Sequence, residues 1–238
     1  MKKVPLLLIL TTISLASFAQ TIVPKLGLTL SQMTDPNESY FNVKSIIGFN
    51  AGVGLQYDFN ETFSIQPELQ FIQKGVRHVN ESIMDIPAGR YLYREDTKIT
   101  IHYLELPVLA KISWGSGNTK FFVNAGPSIG IGLGGRMKVE VFSTDPFTSF
   151  TYKFESKVKF DDDAPRFDDS LNYDNRLDFG LQFGGGVVIA KSIVIDIRYG
   201  LGVSKANDKQ EWIENDDAKC KNRVFQFTVG MPISLKKK

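Results

Sequence analysis

Five ionisable side chains stand out for where they fall. Glu68, Glu105, Lys111, Asp196 and Arg198 each occupy a polar position in a segment whose alternate residues are apolar. From Ser192 to Ser204, for example, Ile193, Ile195, Ile197, Tyr199, Leu201 and Val203 alternate with Ser192, Val194, Asp196, Arg198, Gly200, Gly202 and Ser204. A β-strand sends successive side chains to opposite faces, so such a segment has one oily face and one small, polar or charged face. Charges confined together on one face either neutralise one another in a hydrogen-bonded network or line a path for polar solutes, because an isolated buried charge is expensive. Glu68 and Glu105 are expected on adjacent strands at similar depth, with Arg198 or Lys111 reaching across to offset them.

Other reactive residue types are sparse. Nucleophilic catalysis needs a base within hydrogen-bond reach of its nucleophile. The two histidines, His78 and His102, have no Ser or Asp partner that spacing justifies, so no catalysis and no cofactor are expected. The acidic run Asp161–Asp163 with Asp168 and Asp169 supplies oxygens of the kind calcium takes, but lacks the regular D-x-D-x-D-G spacing and reads as a solvated loop. Cys220 is the only cysteine, which rules out an intrachain disulfide and argues against a cysteine-based metal site.

The elements that position the five charges follow from the rest of the chain. Lys2 and Lys3, the apolar run Val4–Leu15 and the small-x-small triplet Ser17-Phe18-Ala19 read as a secretory signal over residues 1–19, leaving 20–238 as one domain. The apolar run is too short for a membrane helix, which takes about 20 residues. Without Lys2 and Lys3 the 28 basic residues fall to 26, equal to the 26 acidic ones, so nothing favours a nucleic-acid partner.

Alternating segments recur at Lys25–Ser31, Ser45–Asp58, Phe63–Phe71, Lys98–Ile112, Lys120–Gly134, Arg176–Ala190, Ser192–Ser204 and Phe225–Leu235. Connections alternate long and short. The long ones are a polar stretch Met33–Lys44, a polar loop Arg77–Arg94, an insertion Gly135–Tyr173 and a polar stretch Lys205–Asn222. The insertion has its own alternating pieces, Met137–Phe142 and Tyr152–Phe160, expected as a hairpin standing proud. Brief turns at one end and extended loops at the other are the pattern of a membrane β-barrel. The expected fold is all-β: a single up-and-down antiparallel transmembrane β-barrel of about eight strands with long outer loops.

Glycines at 52, 54, 126, 130, 132, 200, 202 and 230 share the polar face, as a lumen only wide enough for side chains requires. Tyr57, Phe63, Trp114 and Phe121 fall on the apolar face beside the short turns, where an interfacial aromatic girdle belongs. Pro67, Pro107, Pro127 and Pro232 lie inside strands, and a bulge or bend is expected at each. The chain ends Ser234–Lys238, where outer-membrane barrels commonly end in an aromatic residue.

Gln66-Pro67-Glu68-Leu69 with Gln73-Lys74-Gly75, then Tyr103-Leu104-Glu105-Leu106-Pro107, then Gly126-Pro127, resemble the PorT-like outer-membrane β-barrel (porin-family) proteins of Bacteroidetes. The resemblance spans about Thr21 to Leu235. It implies a Gram-negative outer-membrane location, and a structural or interaction role through extracellular loops, of an adhesive or secretion-accessory kind. The implied partners are outer-membrane lipid, lipopolysaccharide and a protein at the outer loops, with Phe147, Phe150, Trp212 and Tyr40 as loop aromatics available for contact. Two alternatives stay open: a narrow porin passing small polar solutes or ions, and a soluble lipocalin-type ligand-binding barrel whose inward face would be the oily one.

Overall fold

A computed structural model of the 238-residue chain describes residues 21–34, 42–87, 89–144, 147–160, 171–172, 176–204 and 221–235. Strands in chain order are β1 (Thr21–Thr34), β2 (Asn42–Lys44), β3 (Ile46–Asp58), β4 (Phe63–Ile86), β5 (Gly89–Trp114), β6 (Thr119–Thr144), β7 (Ser149–Lys159), β8 (Leu171–Asn172), β9 (Leu177–Ile189), β10 (Ile193–Gly202), β11 (Lys221–Gly230) and β12 (Ile233–Ser234). The expected signal segment, Tyr40, the acidic run Asp161–Asp169, Trp212 and Cys220 lie outside the described residues.

Eight of these strands form a ring in the order β1-β3-β4-β5-β6-β9-β10-β11, and β11 pairs back onto β1 from Lys25↔Gly230 to Thr34↔Lys221. Every ring ladder is antiparallel. Closure leaves no free edge around the ring, which lipid demands because it offers the backbone no hydrogen-bond partner. Three short turns, after Asp58, Trp114 and Ile189, lie at one end with Thr21 and Ser234. At the third of these, Ser192 N–H donates to Ile189 O at 3.0 Å across Ala190 (φ 50°) and Lys191 (φ 56°), a two-residue turn of the twist-matched type.

The faces are sorted with lipid-compatible residues outward. Leu26 (70% exposed), Ile47 (71%) and Phe227 (57%) point out, while Asp196 (1%) and Glu68 (3%) point in. A soluble lipocalin-type barrel would need the reverse, so that reading is overturned. On β5 the outward apolar run extends from Trp114 to Leu104. Those ten steps cover roughly 33 Å along the strand and about 25 Å along the membrane normal, the height of an outer-membrane apolar band.

Arg77–Arg94 is not a loop. β4 continues to Ile86 and turns into β5 at Gly89, with the two strands held in one register from Ile86↔Gly89 down to Phe63↔Ile112. β6 likewise runs on past the membrane level to Thr144 and hairpins into β7, as expected for the insertion Gly135–Tyr173. Strands β2, β4, β5, β6 and β7 together form an outer arm that continues the barrel wall. The polar composition of Arg77–Arg94 hides this because a strand exposed to water on both faces has no apolar alternation to betray it.

The prolines do not bulge the strands either. Pro67 stays in register with Val108, Pro107 with Ser128 and Pro127 with Leu181. Each instead opens a short gap in the ladder toward the preceding ring strand, and pairing resumes beyond it in the same register. Pro232 lies in a similar gap between β11 and β12, here on the β1 side, and pairing again resumes in the same register. A missing N–H removes a bond on one side only, and the intact ladder on the other side holds the strand. The register shift falls instead between His102 and Tyr103, opposite Gly132–Gly134, where Gly134 has φ 131°. A bulge there re-aims the wall at the base of the arm.

Candidate functional site: a filled lumen beneath an outer arm

Inward-facing residues of the ring build two ionic clusters. In the lower one Arg198 from β10 donates through Nη1 and Nη2 to Glu68 of β4, both at 2.7 Å, and through Nε to Asp196 at 2.9 Å. Lys25 of β1 bridges the same two carboxylates, reaching Asp196 at 3.2 Å. Gln66 Nε2 also donates to Glu68, and Asn124 Nδ2 donates to Asp196 at 3.4 Å. Two cations thus balance two anions. The fork of Arg198 fits Glu68 in two parallel bonds, a geometry a lysine does not reproduce.

The upper cluster is built around Lys74 of β4. Its Nζ donates to Glu105 of β5 at 3.2 Å and to Asp178 of β9 at 2.9 Å. Amides supply the remaining partners: Gln70 and Gln182 each donate to Glu105 at 3.2 Å, and Asn222 donates to Asp178 at 3.0 Å. Ser204 adds a hydroxyl to Asp178 at 2.9 Å.

The five charges named from sequence are therefore distributed unevenly. Glu68, Asp196 and Arg198 meet in one cluster, and Glu105 joins the other. Lys111 is buried in the lumen but forms no ion pair with Glu68 or Glu105; its Nζ donates to Gln56 (3.0 Å) and Gln66 (3.4 Å) and sits 4.2 Å from the Phe122 ring centroid. Lys74, absent from the sequence assignment, does for Glu105 what is expected of Lys111. Lys25 and Asp178 occupy polar positions of alternating segments, so the face pattern is the signal that would have found them. Lys74 lies beyond Phe63–Phe71, between the inward apolar residues Ile72 and Val76, where alternation gives no such signal.

Apolar groups close the lumen at both ends, which the expectation of glycines and charges inside does not include. Val23, Phe122 and Val194 pack together near the short turns. Met33, Ile72, Val76, Ile101, Tyr103, Val158 and Val224 pack at the outer mouth, joined by Phe160. Val158 lies on the arm strand β7 and Phe160 just beyond its end, so the arm itself caps the barrel. Gly132 makes room for this: a Cβ there would lie 2.2 Å from Phe160 Cζ. The cavities beside the two ionic clusters measure about 10 Å³ each, room for a single water. A wider hollow of about 570 Å³, lined by Lys111, Lys120, Asp58 and Glu61 among others, lies at the short-turn end.

Of the aromatic residues assigned to an interfacial girdle, Trp114 and Phe121 stand opposite each other, Phe63 stands opposite Ile112 and Tyr57 opposite Ile65. All four lie on the outer wall at the short-turn end, and Phe59 beside Phe63 extends the group. His102 faces outward, with Nδ1 3.4 Å from Gln73 Nε2. Among the described residues no group of His, Cys, Asp and Glu is arranged to hold a metal ion. Phe147 and Phe150 are exposed on the arm.

No curated protein matches the chain. Among solved structures, Ail, the attachment invasion locus protein of Yersinia pestis, aligns with 14% identity and TM-score 0.39 over 90% of this chain and 99% of its own. OprG from Pseudomonas aeruginosa aligns with 10% identity and TM-score 0.42 over 91% and 96%. Neisserial surface protein A aligns with 10% identity and TM-score 0.38 over 91% and 98%. The sequence model described as "Outer membrane protein beta-barrel domain" matches residues 18–207. With a closed eight-strand ring, an apolar outer wall and that match, the chain belongs to the outer membrane protein β-barrel domain family.

Proposed function

We propose that this outer-membrane protein is a closed, non-catalytic barrel whose work is done by the outer arm, in contact with a partner outside the cell. The observation that carries this reading is the plugged lumen beneath an ordered arm. Two hydrogen-bonded ion clusters lie between two apolar layers, and the larger layer is contributed in part by the arm. A narrow porin would need a continuous hydrated path, and cavities of about 10 Å³ beside the clusters do not supply one. The arm strands extend about ten residues beyond Val76, roughly 33 Å, and expose Ile83, Met84, Phe142, Phe150 and Tyr152.

Within the family we place the chain with the PorT-like barrels, exported by a cleaved signal over residues 1–19. The motif residues that carry that likeness also hold the lumen together. Gln66 and Glu68 belong to the lower cluster, and Lys74 and Glu105 to the upper one. Tyr57, Phe63, Trp114 and Phe121 serve in this reading as the periplasmic interfacial girdle.

The test combines conductance with arm removal. The full mature chain in planar bilayers is expected to show no unitary conductance. A variant shortened between Val79 and Asp96 and between Val139 and Phe154 is expected to assemble, yet to reproduce the phenotype of deleting the gene. Discrete channels in the intact protein, or full function without the arm, would overturn the proposal.

A further inference from the structure

The outward side of the arm carries cations in an unusual arrangement. Lys44 on β2 stands directly opposite Arg77 on β4, Arg77 opposite Lys98 on β5, and Lys98 opposite Lys138 on β6. One step nearer the membrane, Arg136 on β6 stands opposite Lys157 on β7. Directly opposed residues of an antiparallel ladder have Cβ atoms roughly 5 Å apart, and like charges in that position are destabilising. Here four cations follow one another across four neighbouring strands.

The nearby carboxylates are too few to cancel them. Asp96 is engaged by Arg77, Glu155 by Lys138 and Glu140 by Lys153. Lys44, Lys98, Arg136 and Lys157 are exposed and have no ion-pair partner among the described residues. Asp96 lies within electrostatic reach of Lys44 and Glu155 within that of Arg136, so the carboxylates offset the row only in part. A sheet that gathers unpaired cations against its own stability calls for an anion from elsewhere.

The height of the row says which anion. The apolar outer run on β5 ends at Leu104, and Thr100, opposite Arg136, lies four residues further out. That places the Arg136–Lys157 pair roughly 10 Å above the hydrocarbon and the Lys98 row roughly 15 Å above it. Lysine and arginine stems span several ångströms and lie back along a surface to place their heads. The residues also continue the lipid-facing side of the wall, not the side that caps the lumen.

We propose that Lys98, Arg136 and Lys157, with Lys44 beside them, bind the phosphorylated head group of lipopolysaccharide in the outer leaflet alongside the barrel. This rests on the membrane level assigned above, and it fixes one side of the barrel, β4 to β7, as the lipid-binding side. Guanidinium from Arg136 suits a bidentate phosphate contact, with the lysines as point charges around it.

The test uses the full mature chain folded in detergent, titrated with lipid A carrying its phosphates and with the same lipid A after dephosphorylation. Phosphorylated lipid A is expected to bind at least roughly tenfold tighter, with the advantage shrinking as salt rises. The variant Lys98→Gln/Arg136→Gln/Lys157→Gln is expected to keep its heat-modifiable gel shift and lose that advantage. Equal binding of the two lipids by the unaltered protein overturns the proposal without reference to any variant. So does an advantage that survives the triple substitution, or a heparin fragment that binds tightly while the lipids are not distinguished, which would assign the row to a soluble polyanion. Conductance and arm-deletion results bear on the closed-barrel reading separately, so the two can fail independently.

Discussion

Inside the barrel and on the outer arm, the same side-chain types are used under opposite constraints. Glu68 in the lumen is 3% exposed and accepts two bonds from Arg198, one from Lys25 and one from Gln66. Glu155 on the arm meets a single lysine, and both partners are more than half exposed. Removing an ion from water into a protein interior costs several kcal/mol, so a lumen charge persists only when surrounded by partners. A solvated arm charge bears no such cost, and its pairing is worth correspondingly little. Charge inside this barrel is therefore structural cement, and charge outside it is available for other contacts.

The strongest way to break that contrast is Arg198→Ala. It leaves Glu68 and Asp196 with Lys25 as their one ion-pair partner among the described residues, and the expected loss of stability is about 3–5 kcal/mol. Urea titration of the folded barrel in lipid, followed by heat-modifiable gel mobility, measures it. Arg198→Lys should recover only part, because an ammonium cannot make the two parallel bonds to Glu68. A loss under about 1 kcal/mol for the alanine variant would mean that the lumen charges are as loosely coupled as the arm's.

Lys74→Met sharpens the comparison within the lumen. The upper cluster has one cation for two carboxylates, but Glu105 keeps Gln70 and Gln182 while Asp178 keeps Asn222 and Ser204. The expected loss is smaller, about 2–3 kcal/mol, because amide and hydroxyl donors remain to satisfy the stranded anions. Adding Asp178→Asn should return part of it. If the double variant is worse than Lys74→Met alone, the cluster is held by Asp178's other bonds and not by the ion pair.

The same physics explains what is legible in the sequence. Wall residues obey a period of two because one side meets lipid, so the eight ring segments and the orientation of Glu68, Asp196 and Arg198 are readable from alternation. Partner choice is not, because it depends on stagger between strands distant in the chain: Lys74 and Asp178 are 104 residues apart. The arm is hidden for a different reason. Arg77–Arg94 lies in water on the far side of the apolar band, where pairing is maintained by the backbone ladder and by cross-strand contacts that leave no hydrophobic rhythm. The prolines mislead when each is weighed as an isolated defect, whereas Pro67, Pro107 and Pro127 lie on successive ring strands, each with one intact ladder.

The smallest effect is expected at Asp96, the arm's counterpart to Glu68. Arg77 donates to both of its carboxylate oxygens, and those hydrogen bonds hold the Asp96 carboxyl below its ordinary value. Arg77 is 43% exposed, so solvent screens the pair and the contribution is about 0.2–1 kcal/mol. A depressed carboxylate pKa stabilises the fold above the unfolded-state value, about 3.9, and that share is lost as pH falls through the folded value. Asp96→Asn should therefore trail the unaltered protein slightly at about pH 7, and the gap should close below about pH 4. High salt should narrow it as well. A gap as large as that of Arg198→Ala, or one unmoved by salt, would show that the arm's charges are bound into its structure as tightly as those of the lumen, and the division between the two regions would fail.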